Sequence, residues 1–300
     1  MSGSQGLDTL RDSPTGSGAP AAVGVLGGGR MGAGIAHAFL LAGSRVTIVE
    51  RDADAAAAAA QRVLASVEAS VVRGTADEDA AAYAARFATS TDVADFANCE
   101  LVVEAVPEDL ELKIDALTRV ERVLAPAAAL ASNTSSISID QLATLLDRPS
   151  RFVGMHFFNP VPASTLVEVV RGEASDPKLV DEARGWVRAI GKTPIVVADA
   201  PGFASSRLGV MLGLEAIRML EEGVASAEDI DAAMTLGYKH PVGPLKLTDL
   251  VGLDVRLGIA EYLAQTLGER FAPPALLRRM VAEGRLGRKS GEGFYQWDAS

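Results

Sequence analysis

From Ala21 onward the chain alternates short apolar runs with longer stretches of helical spacing. AAVGVLGGG, residues 21–29, is an apolar run that enters a glycine turn. MGAGIAHAFLLAG follows with a 3.6-residue apolar period and a stop at Gly43, and SRVTIVE is a β-branched run ending at Glu50. Together they predict strand, turn, helix, strand, the βαβ unit of a parallel sheet. An alanine-rich helical region spans roughly 53–85, with a break at Arg73–Gly74. CELVVEAV and AAALASN read as two more strands, with a helix between them from Asp109 to Leu124. Ser138 with Gln141 three residues on is the capping-box signature of a short helix. RFVGMHFF, LVEVV and PIVVAD are further strands, the last two separated by a helix near 176–190.

This alternation predicts a doubly wound, Rossmann-like α/β domain over residues 21–200. After APGF, residues 200–203, the texture changes. LGVMLGLEAIRMLEEG, SAEDIDAAMTLG opened by Ser226, and LTDLVGLDVRLGIAEYLAQTLG predict three helices, and strand-like runs are nearly absent until GFYQW. Residues 201–300 are therefore expected to form an all-α domain. No repeat of 20–50 residues is visible. Residues 1–20 are Gly/Ser/Pro-rich without an apolar core, which predicts a disordered leader.

Composition narrows the function classes. Of 300 residues, 48% are hydrophobic and 22% charged, a globular balance. No uninterrupted apolar run reaches the ~18 residues of a membrane span. The net charge of −11 lacks the clustered Lys/Arg with interleaved aromatics of a nucleic-acid binder, so neither a membrane nor a nucleic-acid partner is expected. The one cysteine, Cys99, excludes an internal disulfide framework and suits a reducing cytoplasm. No metal-ligand set is read.

Gly27-x-Gly29-x-x-Gly32 lies between a strand and a helix, where a dinucleotide fingerprint requires it. Gly27 permits the tight turn, Gly29 the approach of backbone to a pyrophosphate, and Gly32 close packing of helix on strand. The helix N-terminus offers free N–H groups and partial positive charge to the phosphates. Glu50 closes the second strand, where a carboxylate accepts from the ribose hydroxyls and repels a 2′-phosphate, favouring NAD over NADP; Arg51 beside it would act the other way.

Hydride chemistry needs a group for the hydroxyl proton, and the chain has three histidines. His37 falls in the first helix and His240 in a loop of the second domain. His156 ends a strand, where ligands sit in such sheets. Twelve residues on, Glu168 lies inside an apolar strand, where an unpaired carboxylate would cost several kcal/mol. Pro160 and Pro162 provide a turn that brings the two strands together. A His156–Glu168 pair accounts for both residues.

VLGGGRMGAGIA, LVVEAVPEDLELK, ASNTSSISI, GMHFFNPVPASTLVEVV, DAPGF, GYKHPVGPLKLTDLVGLD and GRLGRKSGEGFY, in that order from 21 to 297, make the chain resemble the 3-hydroxyacyl-CoA dehydrogenase family, in particular its short bacterial 3-hydroxybutyryl-CoA members. The resemblance implies NAD-dependent interconversion of an (S)-3-hydroxyacyl-CoA and the 3-ketoacyl-CoA, a step of fatty-acid β-oxidation, butanoate metabolism and aromatic-acid degradation. It also implies a homodimer formed through the helical part. His156 matches the catalytic base, Glu168 the acid that orients it, and Ser135 a serine on the substrate's 3-oxygen. Arg30, Met31, Glu50, Glu108, Lys113, Asn133 and Asn159 match cofactor-contacting positions, and Ser66 and Arg73 fall where the family's helical arm meets CoA.

The chain departs from the pattern after DAPGF, where two apolar residues and an asparagine normally precede Arg-Leu. Here the run is PGFASSRL, so Ser206 stands in the asparagine's place and is expected to join the catalytic network. Two other assignments keep the same fold: a dehydrogenase of a free hydroxy acid or sugar acid, like the gulonate dehydrogenase/λ-crystallin branch, and a catalytically silent NAD-binding protein. The intact His156, Glu168 and Ser135 stand against the silent one.

Overall fold

The computed structural model describes residues 18–298, so almost all of the expected leader lies outside the described residues. Eight strands form one sheet in the order β3-β2-β1-β4-β5-β6-β7-β8. They are β1 (Ala22–Leu26), β2 (Arg45–Val49), β3 (Phe87–Ser90), β4 (Leu101–Glu104), β5 (Ala129–Ser132), β6 (Phe152–Phe157), β7 (Leu166–Arg171) and β8 (Thr193–Ala198). Neighbours pair in parallel except β6 and β7, which are antiparallel, so β7 and β8 run against the other six. All of β1 to β6 thus end at one edge, and the chain direction of the crossovers reverses between β1 and β4, the place where such sheets open a ligand crevice.

The helices of this half are α1 (Arg30–Leu41), α2 (Ala53–Val72), α3 (Ala80–Ala84), α4 (Leu110–Val123), α5 (Ile139–Ala143) and α6 (Pro177–Ala189). The pleat divides the sheet's side chains between two cores. Val23, Val25, Ile48, Val103, Met155 and Val169 pack under α1, α2 and α6. Leu26, Val102, Leu130, Phe152 and Val170 pack under α4 and α5. His156, flanked by Met155 and Phe157, and Glu168, flanked by Val167 and Val169, therefore point to the second face.

The edge strand β3 is absent from the sequence expectation. Its four residues are all partly exposed or exposed and carry no apolar alternation, so only pairing with β2 organises them. The expected break after α2 is there: Arg73 caps the helix and Gly74 takes φ +68°. Among the described residues α2 is also the helix long and apolar enough to cross a membrane by length and composition, with a mean hydropathy of 1.2. Alanine supplies most of that apolarity, and Asp54, Arg62 and Glu68 interrupt it.

Past β8 come α7 (Ser205–Glu221), α8 (Ala227–Ala232), α9 (Pro244–Val251), α10 (Leu253–Leu267) and α11 (Ala275–Ala282), around a third core that includes Leu214, Ile217, Leu245, Leu263 and Leu277. The expected third helix is two, because Gly252 at φ +106° turns the chain between α9 and α10. The expectation did not include α11. GFYQW is no strand: isolated bridges join Glu292 to Gly287 and Gln296, and the segment is held by Asp249. That carboxylate, 1% exposed, accepts from the Phe294 and Tyr295 amides at 2.9 Å each and from Trp297 Nε1 at 2.8 Å. Leaving buried donors unpaired costs about 1–3 kcal/mol apiece. Asp249→Ala should lower unfolding free energy in urea by about 3 kcal/mol or more, and Asp249→Asn by less; an alanine variant as stable as the parent would refute this anchoring role.

Candidate active site

At the end of β1 the glycine turn has the shape its sequence requires. Gly27 takes φ +93° with Ala105 O within 2.9 Å of where a Cβ would sit, so a side chain there is both strained and blocked. A Cβ on Gly32 would run into Gly27 O, whereas one on Gly29 would meet nothing within 4 Å. The turn is thus packed shut towards the strand and open on its outer side. Gly29 is the N-cap of α1 and provides no side-chain cap, so the first amides of the helix, from Arg30 and Met31 on, face outward without a side-chain partner. The cradle fits a dinucleotide pyrophosphate.

Glu50 follows β2 directly. Its Oε1 accepts from Gly28 N at 2.7 Å and its Oε2 from Arg51 N at 3.1 Å, which fixes the carboxylate beside the glycine turn. Arg51 turns instead to Asp52, at 3.0 Å. Arg62 of α2 donates to Gly28 O at 3.2 Å and ties that helix to the turn. Ser66, one turn further along, returns its hydroxyl to Arg62 O, and Arg73, two turns beyond Ser66, donates to Ser70 Oγ. Ser70 Oγ also meets His37 Nε2 at 2.9 Å, so the buried His37 is a packed helix residue. Burial, then Arg73 and Lys192, hold its pKa below the ordinary value. Ser66 and Arg73 thus lie along α2, leading away from the turn.

Across the crevice, β4 and β5 end in an ion cluster whose Lys113–Glu104 pair is buried and whose Glu108 lies exposed at its rim. Lys113, 1% exposed, reaches Glu104 at 2.7 Å and Glu108 at 3.3 Å. Glu104, wholly buried, also accepts from Ser132 Oγ at 2.5 Å and Val106 N at 2.7 Å. Glu108 Oε1 accepts from Thr134 Oγ1 and from the Ser135 and Ser136 amides, at 2.7, 2.9 and 3.1 Å. Burial would push the Glu108 carboxyl up, but Lys113 and these donors outweigh it and hold it below the usual range. The Ser135 hydroxyl lies 3.3 Å from the same oxygen. Asn133 Oδ1 accepts from Phe157 N at 2.9 Å and links the end of β5 to the end of β6. Asn159, two residues later, is exposed. Glu104 was not among the expected site residues; a glutamate closing an apolar strand, with lysine nine residues on, was the available signal.

His156 and Glu168 stand directly opposite each other in the antiparallel register of β6 and β7. His156 Nδ1 is 2.7 Å from Glu168 Oε2. Burial alone would raise the Glu168 carboxyl, yet the hydrogen bonds from His156 and from the Ser205 hydroxyl and amide hold it below the ordinary value. An unprotonated carboxylate requires the proton on Nδ1, which leaves Nε2 as the free acceptor. The Phe158 and Phe203 rings pack at 4.4 and 5.8 Å from the imidazole.

The remaining partner of Glu168 is Ser205, the neighbour of the expected Ser206. Ser206 forms no side-chain hydrogen bond among the described residues; Ser205 takes its place in the network. Ser205 N and Oγ donate to Glu168 Oε1 and Oε2 at 2.9 and 2.7 Å, and Ala204 N donates to Oε1 at 3.2 Å. Gly202 at φ +74° and Phe203 at φ +49° set the turn that aims these groups. A helical residue one position on points about 100° away, so Ser206 cannot reach the carboxylate that Ser205 meets. Cys99 is buried before β4, and desolvation pushes its thiol up to about 11, which leaves it unreactive.

Comparison with known proteins gives this geometry its relatives. The family model described as 3-hydroxyacyl-CoA dehydrogenase, NAD binding domain, matches residues 22–200, and that for the C-terminal domain of the same family matches 202–297. The chain is 42% identical over 279 residues to the 3-hydroxybutyryl-CoA dehydrogenase of Mycobacterium tuberculosis, covering 92% of this chain and 98% of that protein. It is 41% identical over 277 residues to the enzyme of that name from Bradyrhizobium diazoefficiens, covering 92% and 94%. Its fold matches the crystal structure of (S)-3-hydroxybutyryl-CoA dehydrogenase from Ralstonia eutropha with a TM-score of 0.89 at 38% identity, over 94% of this chain and all of that one.

The buried cluster makes a claim about stability. Lys113→Met leaves Glu104 without its cation, which should cost about 3–5 kcal/mol. Replacing both partners, as Glu104→Gln with Lys113→Met, should restore a good part of that loss in the same urea titration. Equal stability of the single variant and the parent would show that Glu104 does not depend on Lys113.

Proposed function

The chain belongs to the 3-hydroxyacyl-CoA dehydrogenase family, with NAD as its cofactor, and from that membership we propose that it interconverts (S)-3-hydroxybutyryl-CoA, or a similarly short 3-hydroxyacyl-CoA, and the 3-ketoacyl-CoA. The observation that carries the reading is the His156–Glu168 pair, opposed in register at the crevice end of β6, with Nε2 free. Bound NAD supplies a hydride acceptor. The glycine turn of Gly27, Gly29 and Gly32 with the amides of Arg30 and Met31 would hold its pyrophosphate, and Glu50 the adenosine ribose. Glu108, Lys113, Asn133 and Asn159 would line the nicotinamide side.

His156 does the protein's part of the chemistry. In the oxidative direction Nε2 takes the proton of the substrate's 3-hydroxyl while C3 gives up its hydride and the C3–O bond becomes a carbonyl. Glu168 stabilises the imidazolium that results and keeps Nδ1 protonated throughout, so Nε2 is always the working nitrogen. In reduction the imidazolium returns the proton to the developing alkoxide. The Ser135 hydroxyl, which donates to Glu108 Oε1 at 3.3 Å, would redirect that proton to the 3-oxygen, and the aromatic rings beside His156 limit water. Ser66 and Arg73 on α2 are assigned to the CoA moiety.

A homodimer belongs to the same proposal. Leu208 of α7, Val251 and Val255 of α9 and α10, and Leu236 and Tyr238 after α8 are exposed apolar side chains of the helical half, between 42% and 77% accessible. Exposed apolar surface of this kind is characteristic of association sites. A cytoplasmic setting, supported by the single cysteine, completes the reading.

NADH consumption with acetoacetyl-CoA, set against acetoacetate, tests the substrate: turnover of only the free acid would sink the CoA assignment. His156→Ala should lower turnover by roughly 10²–10⁴ with NAD binding nearly unchanged, and near-normal turnover would remove the proton-transfer role. Glu50→Ala should weaken NADH binding by about 10- to 100-fold and narrow the preference over NADPH. An unaltered preference in fluorescence titration would count against the ribose contact.

A further inference from the structure

We propose that Ser205 is a positioning residue of the proton-transfer pair: its hydroxyl shares Glu168 Oε2 with His156 and moderates the hold of that carboxylate on the imidazole. The inference rests on the role given to His156 above.

The two oxygens of Glu168 are treated differently by the fold. Oε1 faces the helical half and accepts the Ala204 and Ser205 amides. Oε2 faces β6 and accepts from His156 Nδ1 and from Ser205 Oγ, both at 2.7 Å. The carboxylate is wholly buried, so water does not dilute this competition. Two donors of equal reach on one oxygen each draw on the same negative charge, and each bond is weaker than it would be alone. The Ser205 hydroxyl is a built contact: the backbone of its own residue is pinned to Oε1, Gly202 and Phe203 adopt left-handed conformations just before it, and Phe203 is buried against the second core. Among the described residues His156 is the titratable side chain that acts most strongly on Glu168; the other groups in contact with the pair are Ser205, the Ala204 amide and the rings of Phe158 and Phe203.

The consequence has a sign. Removing the Ser205 hydroxyl leaves Oε2 to His156 alone. The imidazolium is then better stabilised, His156 keeps its proton to higher pH, and the oxidative direction loses its base there.

The test uses the full chain with Ser205→Val, Ser205→Cys and Ser205→Thr. The first readout is proton NMR of the low-field His156 Nδ1–H resonance without cofactor, assigned by its loss in His156→Ala. The resonance should move downfield in the Val and Cys variants and stay at the parent position in Thr, which restores the hydroxyl. The second is the pH profile of kcat/KM for oxidation of 3-hydroxybutyryl-CoA. Its acid limb should move to higher pH by about half a unit to one unit in Val and Cys, with the KM for NAD unchanged. Val and Cys variants that match the parent in both readouts, or shift the opposite way, overturn the proposal. If the Val variant does not fold, the near-isosteric Cys variant carries the decision. A parent that turns over no CoA ester would defeat the proposed activity, while the NMR comparison still decides the role of Ser205.

Discussion

Much of this molecule hangs on one buried carboxylate. Glu168 sits in the middle of an apolar strand, with no exposure to solvent, and it is tolerable there only because four donors converge on it. One comes from β6 and three from the start of α7, so a single side chain joins the sheet to the helices. It caps α7 in place of a side chain from that helix, whose N-cap residue is Ala204. It also fixes the tautomer of His156. Fold and chemistry therefore share one anchoring point, and neither set of donors can be removed without exposing the other to an unsatisfied charge.

The rest of the crevice follows a similar economy of charge. A chain with net charge −11 is expected to bind a dinucleotide and a CoA ester, both polyanions, without a broad positive field. The glycine turn offers backbone amides at an uncapped helix start, an arrangement that favours phosphate locally without a lysine. Across the crevice Lys113 is almost wholly committed to Glu104 and Glu108, and its positive charge serves to order Glu108, which in turn holds the Ser135–Ser136 turn.

The parts of this design that the sequence disclosed were those with a local signature. The glycine turn needs Gly27, Gly29 and Gly32 for steric reasons that act within a few residues, so their spacing was sufficient. His156 and Glu168 were legible because each was anomalous in an apolar strand and the proline turn between them forced the strands together. Where the cause is tertiary the sequence was silent. β3 is a strand only because β2 offers it a ladder, and α11 only because Leu277 and Met280 meet the third core. The tail GFYQW looked like a strand because aromatics favour strands, yet Asp249, some 45 residues away, captures its amides. At PGFASSRL, alignment by resemblance pointed to Ser206, but the helix start at Ser205 decides which hydroxyl reaches Glu168, and that start depends on the left-handed Gly202 and Phe203.

The turn at Gly202–Phe203 also couples the two halves of the protein through one carboxylate. A molecule whose helical half has come loose still has its glycine turn and Glu50, because these belong entirely to the sheet half. Such a molecule has lost three of the four donors on Glu168, and with them the fixed orientation of His156. Detachment of the helical half would therefore leave Glu168 with His156 as its one remaining donor and α7 without its cap, so the docking of the two halves and the order of this pair are a single structural event.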